Sequence, residues 1–251
     1  ELLMSRSDFH ESLRLAQAAR AELAPNDVLL RARLASLECN CHGGLGNFED
    51  AERAAREALA LADQLMGLPL ALTGEIRARA QFELANNARA RRDLKSAMEY
   101  AQSALASARA RKARRMTSSC LGFVGGLFYD QGDLDASLRY RSEAFEGYQA
   151  VGDIHSAAYV LTYLADIHHL RLEEEQALEK SERASETLRL VEDMRGLAAG
   201  ESTRVTCLLW CGRAEQARSV IERLLREAEG KGTERLWGYR LNKLAMVQLV
   251  Q

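Results

Sequence analysis

A short turn recurs along this chain at a nearly fixed interval, and a repeat of that length leaves few folds open. Its clearest copies are Gly46-Asn47-Phe48-Glu49-Asp50-Ala51, Arg92-Asp93-Leu94-Lys95-Ser96-Ala97 and Gly132-Asp133-Leu134-Asp135-Ala136-Ser137. Weaker copies begin at Ser7, Leu172 and Gly212. The last residues of the six copies stand at 12, 51, 97, 137, 177 and 217, so the steps are 39, 46, 40, 40 and 40. The chemistry of each copy is that of a helix-to-helix turn. Glycine closes the first helix in a left-handed conformation, and Asp or Asn then caps the second by accepting from its free N–H groups. Phe9, Phe48, Leu94 or Leu134 follows as an apolar plug, and a small residue ends the copy where two helices cross closely.

Two further sets of small residues keep the same register. Seven residues after each copy stand Ala19, Ala58, Ala104, Ala144, Ala184 and Leu224. Twelve before its end lie Cys39, Ala85, Gly125, Ala165 and Val205, with Ala245 continuing the series. Small residues on both helices let neighbouring backbones interlock. Ala, Leu, Arg and Glu dominate, and there are only two prolines, Pro25 and Pro69, so an all-α chain is expected. An unpaired second-type helix is expected over 8–23. Helix pairs follow at 28–42 with 47–65, 74–91 with 93–110, and 114–130 with 133–150. Further pairs stand at 155–171 with 173–193 and 197–211 with 214–229, and a last first-type helix begins near Glu234. The apolar segment Gln64-Leu65-Met66-Gly67-Leu68-Pro69-Leu70 accounts for the step of 46 and is expected to pack over a helix end. Glu201 and Arg204 stand at expected core places, which predicts a one-residue shift of their helix.

The Gly-Asn/Asp-aromatic-x-x-Ala turn with Ala seven residues on resembles the tetratricopeptide signature over essentially the whole chain. That family's usual repeat has 34 residues. Here the period is about 40, with an additional turn expected between hairpins, as in Ala150-Val151-Gly152-Asp153-Ile154-His155 and Gly230-Lys231-Gly232-Thr233. The family's proline at the end of the second helix is missing, and Gln81, Leu121 and Leu161 replace its large aromatic early in the first. The resemblance implies a right-handed α–α superhelix of about five to six hairpins, forming one elongated domain over 1–251 with first helices lining the concave side. Long-period versions are similar to sensor regions of bacterial signalling proteins, including LuxR-type activators and diguanylate cyclases.

In that register the inner face comprises Ser36, Asn40, Phe82, Asn86, Arg89, Ser119, Gly122, Gly126, Tyr129, Tyr159, Thr162, Asp166, His169, Ser202, Thr206, Tyr239, Asn242 and Met246. Asn40, Asn86, Arg89, Tyr129, Tyr159, Thr162, Asp166, His169, Tyr239 and Asn242 are the candidate binding residues, and a peptide or protein segment is the expected partner. The asparagine amides suit a peptide backbone, because each offers both donor and acceptor. Tyrosines add rigid area with a polar tip. The two-lysine carboxylate clamp of some tetratricopeptide co-chaperones is excluded, since Ser36 stands where its first lysine belongs. Of three glycines inside one helix, Gly125 reads as close packing, while Gly122 and Gly126 face the groove, where they would admit a ligand backbone or permit bending, and structural and functional readings stand even.

Other chemistry finds little footing. The net charge of −2 argues against a general nucleic-acid footprint. The cluster Arg109, Arg111, Lys112, Arg114 and Arg115 reads as a solvated linker, with salt-dependent nucleic-acid binding as its rival. Five cysteines, an odd number, point to reduced thiols and a cytoplasmic setting. No signal peptide or membrane-length apolar run occurs. Cys39-x-Cys41-His42, the pair Cys207 and Cys211, and adjacent His168 and His169 complete no four-ligand set, so no metal or cofactor is expected. No catalytic motif is present, and the chain is expected not to be an enzyme. It starts without Met and ends within a helical pattern, as an excised piece of a longer protein would. A sensor or regulatory module is the leading reading. The alternative is a structural adaptor or a homodimer through its terminal helices, suggested by Leu241, Leu244, Ala245 and Leu249.

Overall fold

In the computed structural model the described residues are 6–65 and 70–228, and eleven helices occupy them. They are α1 (Arg6–Glu22), α2 (Val28–Leu45), α3 (Phe48–Gln64), α4 (Leu70–Ala90), α5 (Leu94–Ala110), α6 (Arg114–Asp130), α7 (Leu134–Ala150), α8 (Ile154–Leu170), α9 (Glu174–Leu190), α10 (Met194–Trp210) and α11 (Ala214–Ala228). Most of the 64–70 segment and everything beyond 228, including the expected last helix, Tyr239 and Asn242, lie outside the described residues.

The turns reveal a finer period than the hairpin. Arg92, Lys112, Gly132, Gly152, Leu172, Glu192 and Gly212 all have positive φ, between 56° and 80°, and follow one another every 20 residues. Each helix from α5 to α10 is 17 residues long. Asp93, Ala113, Asp153, Glu173, Asp193 and Arg213 donate their N–H to the carbonyl five residues back, at 2.8–3.0 Å, the bond that closes a helix over a left-handed residue. From α4 to α11, turns within and between hairpins are therefore the same turn. The additional turn expected between hairpins is absent from α4 to α11, where the excess over 34 residues lies in longer helices, and its expected copy at 230–233 lies outside the described residues.

Aspartate caps form at four of the turns. The carboxylates of Asp93, Asp133, Asp153 and Asp193 accept from the N–H three residues on, at 2.9–3.1 Å. Asn47, in a similar backbone conformation, makes no such bond.

Two compact units divide the chain, 1–131 and 132–251. In the first, α2 pairs with α3 and α4 with α5, while α2 also touches α4. Ala51, Ala58, Ala97 and Ala104, together with Cys39 and Ala85, are completely buried, so the small residues stand where backbones approach. On α1 only Ala16 of the corresponding face is buried. Ser12 is half-buried and Ala19 exposed, because in α3 and α5 these positions face the preceding helix and no helix precedes α1 among the described residues. The Phe9 ring holds α1 down instead, lying where a Cβ on Gly44 would stand only 2.6 Å from it. Arg20 reinforces the contact by donating to Glu38 at 2.8 Å and to Glu57.

His42 in α2 is half-buried. Burial holds its pKa below the ordinary imidazole value, the nearby Glu38 opposing and Arg53 assisting. The unfolded chain therefore takes up this proton first as pH falls. Stability from His42 is present above about pH 6.5 and declines below it. In a urea-unfolding series from pH 7.5 to 5.5, His42→Gln is expected to flatten that decline; an unchanged slope would remove His42 as its source.

In the second unit α8 pairs with α9, α9 contacts α10, and α10 also touches α8 and α11. Glu201 on α10 is fully buried. Arg189 and Arg223 donate to its Oε1 at 3.0 and 2.8 Å, and Arg204 lies 3.6 Å from Oε2. The expected one-residue shift of this helix does not occur. The carboxylate keeps its core position because three guanidinium groups, each still reaching water, compensate it there.

Candidate functional site

The first unit places Asn40, Asn86, Arg89 and Tyr129 on α2, α4 and α6, with part of the polar capacity of the asparagines and Arg89 turned toward neighbours. Asn40 Nδ2 donates to Glu83 Oε1 at 3.1 Å, and Asn86 Nδ2 lies 3.5 Å from Glu83 Oε2. The two asparagines thus frame a carboxylate, a neighbour that was not anticipated. Glu83 sits three residues before Asn86 on the same face, and that spacing was the available signal. Arg89 grips Asp130 through two hydrogen bonds of 2.6 and 3.0 Å and lies 5.6 Å over the Phe123 ring, which meets Phe82 edge-on. Tyr129 is half-buried beside this group's helix end.

The second unit contains an open cleft of about 280 Å³ between α8 and α10. Thr162, Tyr163, Asp166 and His169 line one wall, and Ala199, Ser202, Thr203 and Thr206 the other. Each set recurs at three- and four-residue spacing, one stripe per helix. Thr203 Oγ1 donates to Asp166 Oδ1 at 3.3 Å across the cleft. Thr162 and Thr206 donate to carbonyls of their own helices. Beside the lining, Trp210 is 69% exposed and packs edge-on against His169 at 6.1 Å. Tyr163, itself 47% exposed, carries the Arg141 guanidinium 4.1 Å above its ring.

Of the candidate residues, Thr162, Asp166 and His169 are brought together here. Tyr159 stands apart, edge-on to His155 at 5.2 Å. Both contribute to Asp193, whose carboxyl is buried, yet the Gly196 N–H, His155 and Tyr159 together hold it below the usual carboxylate range. Tyr163 and Thr203 were not anticipated, because a single four-residue stripe per helix omits the neighbours one position round.

A second group was also missed. His169, Glu174 and Cys207 place one potential ligand atom each within 4.8 Å of one another. His169 Nδ1 lies 2.9 Å from Glu174 Oε1. The Cys207 thiol is fully buried, and burial with the Glu174 carboxylate pushes its pKa up. The 20-residue register contains the clue: the end of α8, the start of α9 and the end of α10 all fall at the same end of their helices.

No family model matches the sequence, and no curated protein does. Solved structures do match. A signal transduction ATPase with numerous domains, bearing a tetratricopeptide repeat sensor, from Pyrococcus horikoshii aligns over 98% of this chain and 37% of its own, at 17% identity and a TM-score of 0.77. The fold is that of a tetratricopeptide-type α–α solenoid. A Rap protein complexed with competence and sporulation factor aligns over 98% of this chain and 73% of its own, with 16% identity and a TM-score of 0.70. NprR in complex with its cognate peptide NprX gives 98%, 67%, 15% and 0.62 in the same order. At these identities the likeness carries the fold of the solenoid. The chain spans little more than a third of the Pyrococcus protein. Among the described residues of this solenoid, no helix is long and apolar enough to cross a membrane.

Proposed function

We propose that this solenoid is a peptide-binding regulatory module and that the peptide lies in the cleft between α8 and α10. The lining carries the reading: four serine and threonine hydroxyls, one carboxylate, one imidazole and the exposed ring of Tyr163, with exposed Trp210 beside them. Hydroxyls both donate and accept, so they serve a main-chain amide whatever side chain it bears. Exposed rings supply contact area at little entropic cost. Asp166 adds a preference for a basic side chain or an N-terminal amine. Structural neighbours support the reading, since the Rap protein is complexed with competence and sporulation factor and NprR with its peptide NprX. The Pyrococcus neighbour carries its tetratricopeptide repeats as a sensor. The module's role is then to report occupancy to an output domain of a larger bacterial signalling protein, with LuxR-type regulators and diguanylate cyclases the kinds its long repeat resembles.

The test is a random-peptide display selection on the wild-type chain, followed by fluorescence anisotropy with the enriched peptides. Asp166→Lys is expected to weaken binding at least about tenfold, the equivalent of 1.4 kcal/mol. Asn40→Ala/Asn86→Ala, in the other unit, is expected to leave it within about twofold. Equal affinity for Asp166→Lys would remove the cleft as the site. If no sequence is enriched, the peptide reading falls and a structural adaptor takes its place.

A further inference from the structure

Three consecutive helices each bring one metal-ligating group to the same end of the second unit. His169 stands in the last turn of α8, Glu174 opens α9, and Cys207 lies in the last turn of α10. The turn at 171–173, closed by left-handed Leu172, is what folds the α9 start back against the α8 end. One ligand atom from each of the three residues lies within 4.8 Å of the others. A tetrahedral zinc ion, with bonds of about 2.0–2.3 Å, spaces its ligand atoms roughly 3.3–3.8 Å apart, so small side-chain rotations close the difference. The His169 and Glu174 side chains are 15% and 17% exposed, which restricts their rotamers and keeps the group largely from bulk water.

We propose that His169, Glu174 and Cys207 bind a divalent transition-metal ion, Zn²⁺ by preference, with a water molecule as the fourth ligand. Imidazole, carboxylate and thiolate in one set select against Mg²⁺ and Ca²⁺, which take oxygen ligands throughout. Three protein ligands and an exchangeable fourth is an open zinc geometry. Binding forms a metal–sulfur bond and breaks the S–H bond of Cys207, releasing one proton to solvent. A buried thiol beside carboxylates is a poor place for a lone thiolate and a good one for a thiolate bound to a cation, because the ion reverses the local electrostatic sign. His169 also lines the cleft, so the ion sits at the cleft's wall.

Titration of the metal-free wild-type chain with Co²⁺ tests this directly. The expected result is a near-ultraviolet thiolate-to-cobalt charge-transfer band with visible bands of tetrahedral intensity, saturating at one equivalent and abolished by Zn²⁺. One proton per ion is released to a pH indicator. Cys207→Ser is expected to remove the charge-transfer band and to weaken affinity more than about tenfold, while Cys39→Ser and Cys211→Ser retain the band. Absence of the band at stoichiometric Co²⁺ in the wild type, or its survival in Cys207→Ser, overturns the proposal. The readout contains no peptide, so its failure and that of the cleft as a peptide site are separable.

Discussion

Replacing Arg189 and Arg223 together by alanine is expected to destabilise the second unit by about 3–5 kcal/mol, the usual loss when a buried charge is left without its partners. Glu201 is fully buried and receives its two short hydrogen bonds from these arginines. Arg204 remains, but at 3.6 Å and already donating to Glu182 at 2.8 Å. The converse change is expected to be much milder. In Glu201→Leu the three guanidinium groups keep access to water, with side chains 21–40% exposed, and leucine fills the space apolarly. The triple variant Arg189→Ala/Glu201→Leu/Arg223→Ala is then expected to recover most of the loss, because the charge that needed compensation has gone. Urea unfolding of the four proteins measures all of this. If Glu201→Leu proves as damaging as the double arginine change, the carboxylate is held by something other than charge compensation.

Glycine at the four non-glycine left-handed positions among the described residues, by Arg92→Gly, Lys112→Gly, Leu172→Gly and Glu192→Gly, is expected to stabilise the chain by about 2–4 kcal/mol. A side chain costs roughly 1–2 kcal/mol in this conformation. Glycine gives back about 0.5–1 through the greater freedom of its unfolded state, so each site nets a gain of about 0.5–1. Arg92, Lys112 and Glu192 are exposed, as is Leu172. The same geometry already holds Gly132 at φ 80° and Gly152 at φ 71°, so the replacements require no movement of the turn. Gly132→Ala is expected to act in the opposite direction. A thermal midpoint that stays put in the fourfold variant would show that these turns carry no strain.

The hairpin period was legible because it rests on local chemistry: a left-handed closing residue, an Asp cap and small crossing residues. The true 20-residue period was not, because it is disguised at particular positions. Arg92, Lys112, Leu172 and Glu192 replace glycine, and Ala113 and Arg213 replace the capping residue. Only the small residues distinguish one helix type from the other, and their alternation doubles the apparent repeat to 40. Within the site, one stripe per helix found Thr162, Asp166 and His169 but left out Tyr163 and Thr203. Glu83, placed between two asparagines, engages one amide donor of each, a contact that a pattern of amides does not reveal by itself.

Local sequence alone settled that this chain is helical, where its turns fall and which small residues face one another, because caps, left-handed residues and helix propensity act within a few positions. Three matters waited for the tertiary structure. A glutamate remains in the core of α10 because arginines from α9 and α11 arrive beside it. A cleft opens between α8 and α10, helices separated in sequence by all of α9. His169, Glu174 and Cys207 meet because three helix ends fall at one level. Each depends on distances between separate helices, which packing sets and no stretch of sequence contains.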